Sequence, residues 1–516
     1  MEPRSSQPDP RVLRAPGSSN LLAEDGKLLI LLNPGRFTRH SLMDMLRAAE
    51  RLGIAAGSVE MGDIWQIQQS GRVPNAEAFA AELRRLNVRA VLGSGPNGLY
   101  EWPVSHAPDG RPVPFFESLG IAHLLWWTDH PQWANERMNL RADLQPLLRS
   151  PNNHHFVKSE LAADELRDLL RWPNVHGLPV AEDPERLRPA VDVTPDFDVV
   201  VVMGSPPLLD PAVAAFLDQE EPDPMAMTRT VAARIAPQLD ALWAERAPRE
   251  LVDTVTAFGR AWLEQRTAES LTGTYRVFLR LESSFADAVR WLRENPSTYF
   301  DALELFWQLA RWQRTFHVRY LAKYFRIGVF GTDWSSVGVG GDGAWVNHDD
   351  QPRIYARGKI ALNLSQAGDE EGVSHKPFQI AACGVPLVHI ERSGLGSCFA
   401  PGEEVETFRT PREARDVIAA LLADPGRRRR MADAARQRVC QEHTWEHRLV
   451  QMLRLGATTQ GPTVTPPIDL TREGAATPAI EKPRAGIGMV DPLAKEESVY
   501  SLASRAATSL GMSTLE

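Results

Sequence analysis

The chain has 516 residues, 43% hydrophobic and 24% charged, with a formal net charge of -9 at pH 7. That length supports two or three full cores and excludes a small binding module. The acidic balance excludes a general nucleic-acid binder, which needs a basic surface for its phosphate contacts, and the three scattered cysteines, Cys383, Cys398 and Cys440, make neither a disulfide framework nor a zinc site and fit a reducing cytoplasm.

Residues 1–24 are rich in Pro and Ser and lack an apolar centre, so they read as a disordered tail and not as a signal peptide. The apolar run 28–32 is a strand, far too short to span a bilayer. It is followed by Asn33, Pro34, Gly35 and a helical stretch through Leu52. Residues 88–92 form the next strand, closed by Gly93, Ser94 and Gly95, and residues 122–127 and 155–157 extend the sheet. Strands alternating with helices predict a parallel α/β domain over residues 25–195.

A second sheet opens with the apolar run 198–203, which stops at Gly204, Ser205, Pro206 and Pro207. From 208 to 325 the pattern changes to long amphipathic helices carrying Trp243, Trp262, Trp291, Trp307 and Trp312, a helical insertion between the first strand and the remainder of the second domain. These tryptophans read first as packing residues and second as an aromatic platform for an acceptor. Strand and helix alternation resumes at 326–330 and closes with a helix over 436–453, giving a second domain over 196–456. The basic run 427–430 follows Pro425 and reads as a solvated helix start. Residues 457–516, rich in Thr, Pro and Gly, form a second largely disordered tail.

The most informative segment is 362–386, LNLSQAGDEEGVSHKPFQIAACGVP, which places an acid-rich loop before a helix opening at Ser374, His375, Lys376 and Pro377. The first N–H groups of a helix have no partners within it and the helix dipole makes that end electropositive, so it favours phosphate. Lys376 adds a point charge, and Pro377 sits where a missing N–H costs nothing. A strand before and a strand after, ending at Ile390, make this half of a nucleotide-binding layout. The same unit occurs in any parallel sheet, and a first-turn lysine is commonly just solvated.

Several stretches together resemble the CgeB-type, spore-coat-like branch of the GT-B glycosyltransferases: VFGTDW at 329–334, KIALNLS after Tyr355, FQIAACGVPLV at 378–388, GLGSCFAPGEEVETF at 394–408 and EHTWEHRLVQML at 442–453. LLWWTDHP at 124–131 and DVVVVMGSP at 198–206 match more loosely. The resemblance implies two Rossmann-like domains facing a cleft. The C-terminal domain would bind a nucleotide diphosphate-sugar, the N-terminal domain an acceptor of unidentified kind, and no metal or other cofactor would be required. Asp349 and Asp350, beside His348 and Pro352, read as a solvated turn and not as a cation-holding pair.

On this resemblance, donor contacts fall to Gly204, Ser205, Gly331, Glu371, Ser374, Lys376, Gln379, Glu403 and Glu404. Glu371 matches the first of two glutamates that many retaining relatives carry, but the second position is Gln379, which hydrogen-bonds a ribose without charge assistance. A frequent arginine is here Lys376, which keeps the charge and loses the bidentate geometry. Glu403 and Glu404 equally suit a turn or helix cap. A base for the acceptor's proton is sought in Asp129 and His130, which follow an apolar strand, with His375 as the alternative beside the donor; Asp129 as a cap and His130 as a satisfied buried imidazole are the competing readings. The expectation is a cytoplasmic glycosyltransferase, with the helical insertion or C-terminal tail as the surface for any protein partner. Its rivals are a catalytically silent scaffold on the same fold and a sugar-nucleotide epimerase or hydrolase.

Overall fold

The computed structural model describes residues 22, 26–69, 75–132, 140–204, 209–332, 334–337 and 346–458. Ser205, Asp333, nearly all of the 343–346 stretch and almost the whole of both tails lie outside them. Two compact units are distinguished by their internal contacts. Of the described residues, one unit takes those through Trp127, then 140–155 and 449–458, and the other takes 128–132 and 156–448.

The first unit carries strands β1 (Lys27–Leu32), β2 (Ala56–Glu60), β3 (Val88–Ser94), β4 (Ala122–Trp126) and β5 (Asn153–Val157) in the order β2-β1-β3-β4-β5. The β1–β2, β1–β3 and β3–β4 pairs are parallel. Leu28 to Leu32 are all buried, as the continuous apolar run requires for a parallel strand covered on both faces. Leu29 and Leu31 join Phe79, Trp102, Phe115 and Phe116 in one core.

The second unit carries β6 (Phe197–Val202), β7 (Ile327–Phe330), β8 (Gly358–Asn363), β9 (Leu387–Ile390) and β10 (Glu406–Phe408) in the order β7-β6-β8-β9-β10, parallel throughout. Val199 of β6 lies opposite both Ile327 and Ile360. The strand order reverses between β6 and β8, and a parallel sheet binds ligands beyond the carboxyl ends of its strands at such a switch point. The α/β class with parallel sheets read from the sequence is therefore the observed one.

Between β6 and β7 run helices 224–246, 252–268, 274–281, 286–294 and 296–321. The last places Trp312, Phe316 and Tyr320 in the core of the second sheet. Trp243, Trp262 and Trp307 are fully enclosed, and Trp262 meets Phe306 at 4.4 Å and Tyr299 at 5.5 Å. These tryptophans are packing residues. The arginine run is also structural: Asp424 caps the helix 425–442, Arg427 pairs with Glu406, and Arg428 donates to the carbonyls of Leu421 and Leu422, at 2.6 and 2.8 Å.

The closing helix expected over 436–453 is two helices. One ends at Glu442 and the next starts at Trp445, because His443 leaves the helical region at φ -128°, ψ 40° and the Thr444 hydroxyl bonds His447 Nδ1 at 2.8 Å. Among the described residues no helix is long and apolar enough to cross a membrane.

The carboxyl end of β7 depends on one glycine. Gly331 has φ +151°, and a Cβ there would stand 1.8 Å from the Met203 carbonyl oxygen at the end of neighbouring β6. Gly331→Ala is expected to lower the unfolding free energy by about 3 kcal/mol in urea titrations. Gly396→Ala, where an added Cβ meets nothing within 4 Å, is expected to change it by under about 0.5 kcal/mol.

Candidate functional site

The helix His375–Ala382 starts beyond the end of β8, at the switch point. Ser374 is its N-cap in extended conformation, and its side chain makes no capping bond, so the electropositive first turn is not neutralised by its own cap. The far end is closed firmly: Gly384, at φ +68°, donates to Ala381 O at 3.0 Å, and Val385 donates to Ile380 O at 3.3 Å, the paired bonds of a Schellman stop. A helix fixed at its C-terminus holds its N-terminus in place.

Lys376 stands in that first turn. The residue keeps partial exposure, yet its ammonium lies deep among protein atoms. Burial pushes its pKa down to about 8, against the attraction of Glu182 and with further repulsion from Arg314. Among the described residues Lys376 has no hydrogen bond or ion pair. Arg314, on helix 296–321, donates from Nε to the Leu364 carbonyl at 3.1 Å, and burial lowers its pKa as well. Lys376 thus feels the repulsion of Arg314, with no carboxylate bound to it among the described residues.

The nearest acid is committed elsewhere. Glu182 is fully buried and accepts from His375 Nδ1 at 2.8 Å and Gln379 Nε2 at 2.9 Å, with His348 at 3.5 Å and Arg186 at 3.6 Å. Burial alone would raise its pKa, but the hydrogen bonds from His348 and His375 hold it well below the usual carboxylate range. Gln379 therefore spends its amide on Glu182. No local pattern in LPVAEDP marks Glu182 as the hub of this cluster.

The acid-rich loop is anchored by all three of its carboxylates. Asp369 binds Lys158 Nζ at 2.5 Å, and Lys158 reaches Asp129 at 3.3 Å. Burial would raise the Asp369 pKa, but the Lys158 ammonium lowers it; burial would lower the Lys158 pKa, but Asp369 and Asp129 raise it. Glu370 accepts from Thr274 N and Oγ1, each at 2.8 Å, and from Trp307 Nε1 at 3.0 Å. It holds φ +49°, a conformation rare for a non-glycine residue and sustained by these three donors. Glu371 accepts a forked pair from Arg276 at 2.7 and 2.9 Å and the Gly273 amide at 3.0 Å. Its carboxylate thus anchors the loop to helix 274–281.

His130 is buried, with Nε2 at 2.8 Å from Glu165 and Nδ1 accepting the Gln132 amide at 3.2 Å; Tyr299 donates to the other oxygen of Glu165 at 2.5 Å. Both ring nitrogens are engaged, which is the satisfied-imidazole arrangement. Asp129 keeps 42% of its side chain exposed. Gly204 is exposed at the end of β6, its carbonyl accepting from Trp334 Nε1 at 3.1 Å, and Gly331 lies at the adjacent end of β7. Glu403 is exposed, while Glu404 is buried and accepts from Ala400 N at 2.7 Å and Arg438 Nε at 3.0 Å, the capping role. Asp349 sits in a turn beside Arg186 at 3.4 Å.

The structure therefore places Gly204 and Gly331 at adjoining strand ends and Ser374 and Lys376 at the start of the helix that follows β8. The side chains of Glu371, Gln379 and Glu404 bind protein partners. The sequence reading missed Lys158, Glu182, Arg314 and Asp369. Lys158 alone carried a local signal, as a charge placed directly after Phe156 and Val157 and before the Ser159 helix cap.

Residues 311–454, under a third of the chain, match the model of a family described as glycosyl transferase-like. That stretch contains Arg314, Asp369 and Lys376, and Asp129, Lys158 and Glu182 lie outside it. A comparison with curated proteins finds no match. Among solved structures, the chain is similar to a glycosyltransferase from Rickettsia africae ESF-5, with 9% identity, 84% of this chain and 99% of that one covered and a TM-score of 0.41. It is also similar to sucrose-phosphate synthase from Thermosynechococcus elongatus, with 11% identity, 83% and 97% covered and a TM-score of 0.40. A third likeness is to HepE from Anabaena in complex with UDP, with 10% identity, 84% and 99% covered and a TM-score of 0.37. At these scores none of the likenesses bears on the role of any residue.

Asp369→Asn would leave the Lys158 ammonium, 8% exposed, with the partly exposed Asp129 at 3.3 Å as its one remaining carboxylate among the described residues. It is expected to lower stability at pH 7 by about 3 kcal/mol. Because the folded pKa of Asp369 is depressed, its contribution is present above the ordinary aspartate value of about 3.9 and is lost as pH falls below it. The gap between wild type and variant in pH-dependent denaturant melts is therefore expected to close below about pH 4.

Proposed function

We propose that the chain is a GT-B-type glycosyltransferase that moves a sugar from a nucleotide diphosphate donor to an acceptor. The observation that carries this reading is the uncompensated positive charge at the helix start: an uncapped first turn, Lys376 without a partner among the described residues, and Arg314 beside it. A leaving diphosphate needs its developing charge met by fixed donors, and these groups are held in place before it arrives. The Gly204 and Gly331 loops bring bare backbone to the same strand ends. In this reading the leaving charge is met without a metal.

Of the three catalytic candidates, Asp129 is assigned the acceptor's proton, because it is the accessible carboxylate of the Lys158 cluster, whereas His130 is fully bonded. His375, held through Nδ1 by Glu182, is assigned to the donor side. The cysteines suit a cytoplasmic enzyme: Cys383 and Cys398 are buried and free, and Cys440 is exposed and free.

Two measurements check the donor assignment. Lys376→Ala is expected to weaken UDP at least about 10-fold by calorimetry while uridine binding changes little, since the lost contact is to phosphate; equal losses would remove Lys376 from the site. The free pKa of about 8 lies below that of an unfolded lysine, so the folded chain holds fewer protons from about pH 8 to 10.5 and stability rises with pH through that window. A bound diphosphate reverses the shift. UDP binding at pH 8.5 is therefore expected to take up protons, seen as a buffer-dependent enthalpy that disappears in Lys376→Ala. Asp129→Asn is expected to lower kcat at least about 100-fold with UDP affinity retained.

A further inference from the structure

A second cavity lies in the same unit, at the carboxyl ends of β9 and β10. Its volume is about 360 Å³, within the range of small-molecule sites. It is lined by the 268–272 segment that follows helix 252–268, by Gln313, and by Ile390, Glu391, Arg392 and Arg409. Strands in a sheet lie roughly 4.8 Å apart, so β9 and β10 set this cavity one to two strand spacings beyond β8 and the switch point. Neither Lys376 nor Ser374 lines it.

Arg392 is the unusual group here. It is 7% exposed, its Nη2 donates to Gln313 Oε1 at 3.1 Å, and its Nε has no hydrogen-bond partner among the described residues. A buried guanidinium with an unmatched N–H is costly to leave unmet. Its surroundings do not meet it: burial, then the neighbouring Arg266 and Arg314, push its pKa down to about 10, against Asp369 and Glu370. Those acids are already bound by Lys158 and by Thr274 and Trp307. The two acids that line the cavity are paired as well, Glu391 in a forked contact with Arg409 and Glu269 with Arg280 at 2.6 Å.

The rest of the lining is rich in groups that hold hydroxyls. Thr272 donates to Glu269 at 2.9 Å, and Ser270 and Gln313 stand beside them. A buried cation with an unmatched N–H selects an oxyanion, and carboxylates, amide and hydroxyls around it select a polyol. We propose that this cavity binds an anionic monosaccharide unit, its carboxylate or phosphate on the Arg392 guanidinium and its hydroxyls on Glu269, Thr272 and Gln313. The assignment goes beyond the donor site and uses none of its residues.

The test is calorimetric titration of the full chain with D-glucuronate, glucose 6-phosphate, glucose and inorganic phosphate, with UDP as an independent control. At least one anionic sugar is expected to bind about 10- to 100-fold more tightly than glucose, the range of one charge-assisted hydrogen-bonded contact. Whichever of glucuronate and glucose 6-phosphate binds better identifies the source of the oxyanion. Arg392→Ala is expected to remove that preference and Lys376→Ala to leave it unchanged, with UDP binding showing the reverse pattern. Ser270→Phe, which places bulk in the lining and leaves Arg392 intact, is expected to block the sugar if Arg392→Ala fails to fold. Equal affinity for glucose, an unaltered preference in Arg392→Ala, phosphate binding as tightly as its sugar ester, or no binding of any probe would each overturn the proposal. Loss of UDP binding with sugar binding intact would instead sink the transferase reading alone.

Discussion

Everything around the candidate site turns on where buried charge is allowed to remain unmatched. Glu182 is surrounded by His375, Gln379, His348 and Arg186, and this concentration of donors on one carboxylate withholds it from Lys376. The same bonds fix the helix 375–382 from the side while its glycine stop fixes it from below. A lysine is thus held in a rigid setting without a neutralising carboxylate. Folding alone would favour a paired or an apolar residue at this place.

The loop before that helix shows the complementary arrangement. Asp369 is bound by Lys158; Glu370 and Glu371 each carry two or more bonds to groups far away in the chain, and Glu370 is kept in a strained conformation by its own. Of these three acids only Glu371 was matched to a donor contact from the sequence. In the fold they act as tethers, and they remove negative charge from the vicinity of the helix start by pairing it. A stiff wall before an electropositive helix start is the result, with the helices between β6 and β7 as its scaffold.

Most strands, the glycine-marked strand ends and the helix start at Ser374 were readable in the sequence because each is written in a local pattern: apolar runs, turn residues, a proline in the first turn. So was the helical stretch over 208–325. Strands β2 and β10, which lack such an apolar run, were not, and neither were the partners. Glu182 and His375 are almost two hundred residues apart, and nothing in either neighbourhood names the other. Arg314 lies on a helix whose apolar spacing predicts its fold and says nothing of its charge. Glu371 was read by its motif position, and a motif position cannot report that Arg276 has claimed the side chain. The 436–453 helix failed for a local reason, since the break at His443 and Thr444 is made by one backbone conformation and one hydroxyl.

The placement of the helices between β6 and β7 also governs the order in which the chain can assemble. Val199 must pair with Ile327 on one side and Ile360 on the other, so β6 has neither neighbour until more than a hundred further residues exist. At a synthesis rate of about 5–20 residues per second, this apolar strand waits on the order of 10 s with both edges open. Helices 224–246 to 296–321, rich in local contacts, can form within that interval. They would offer the ribosome-bound chain a folded neighbour before its central sheet is complete, so a defect in their packing would appear as aggregation during synthesis even where the finished protein is stable.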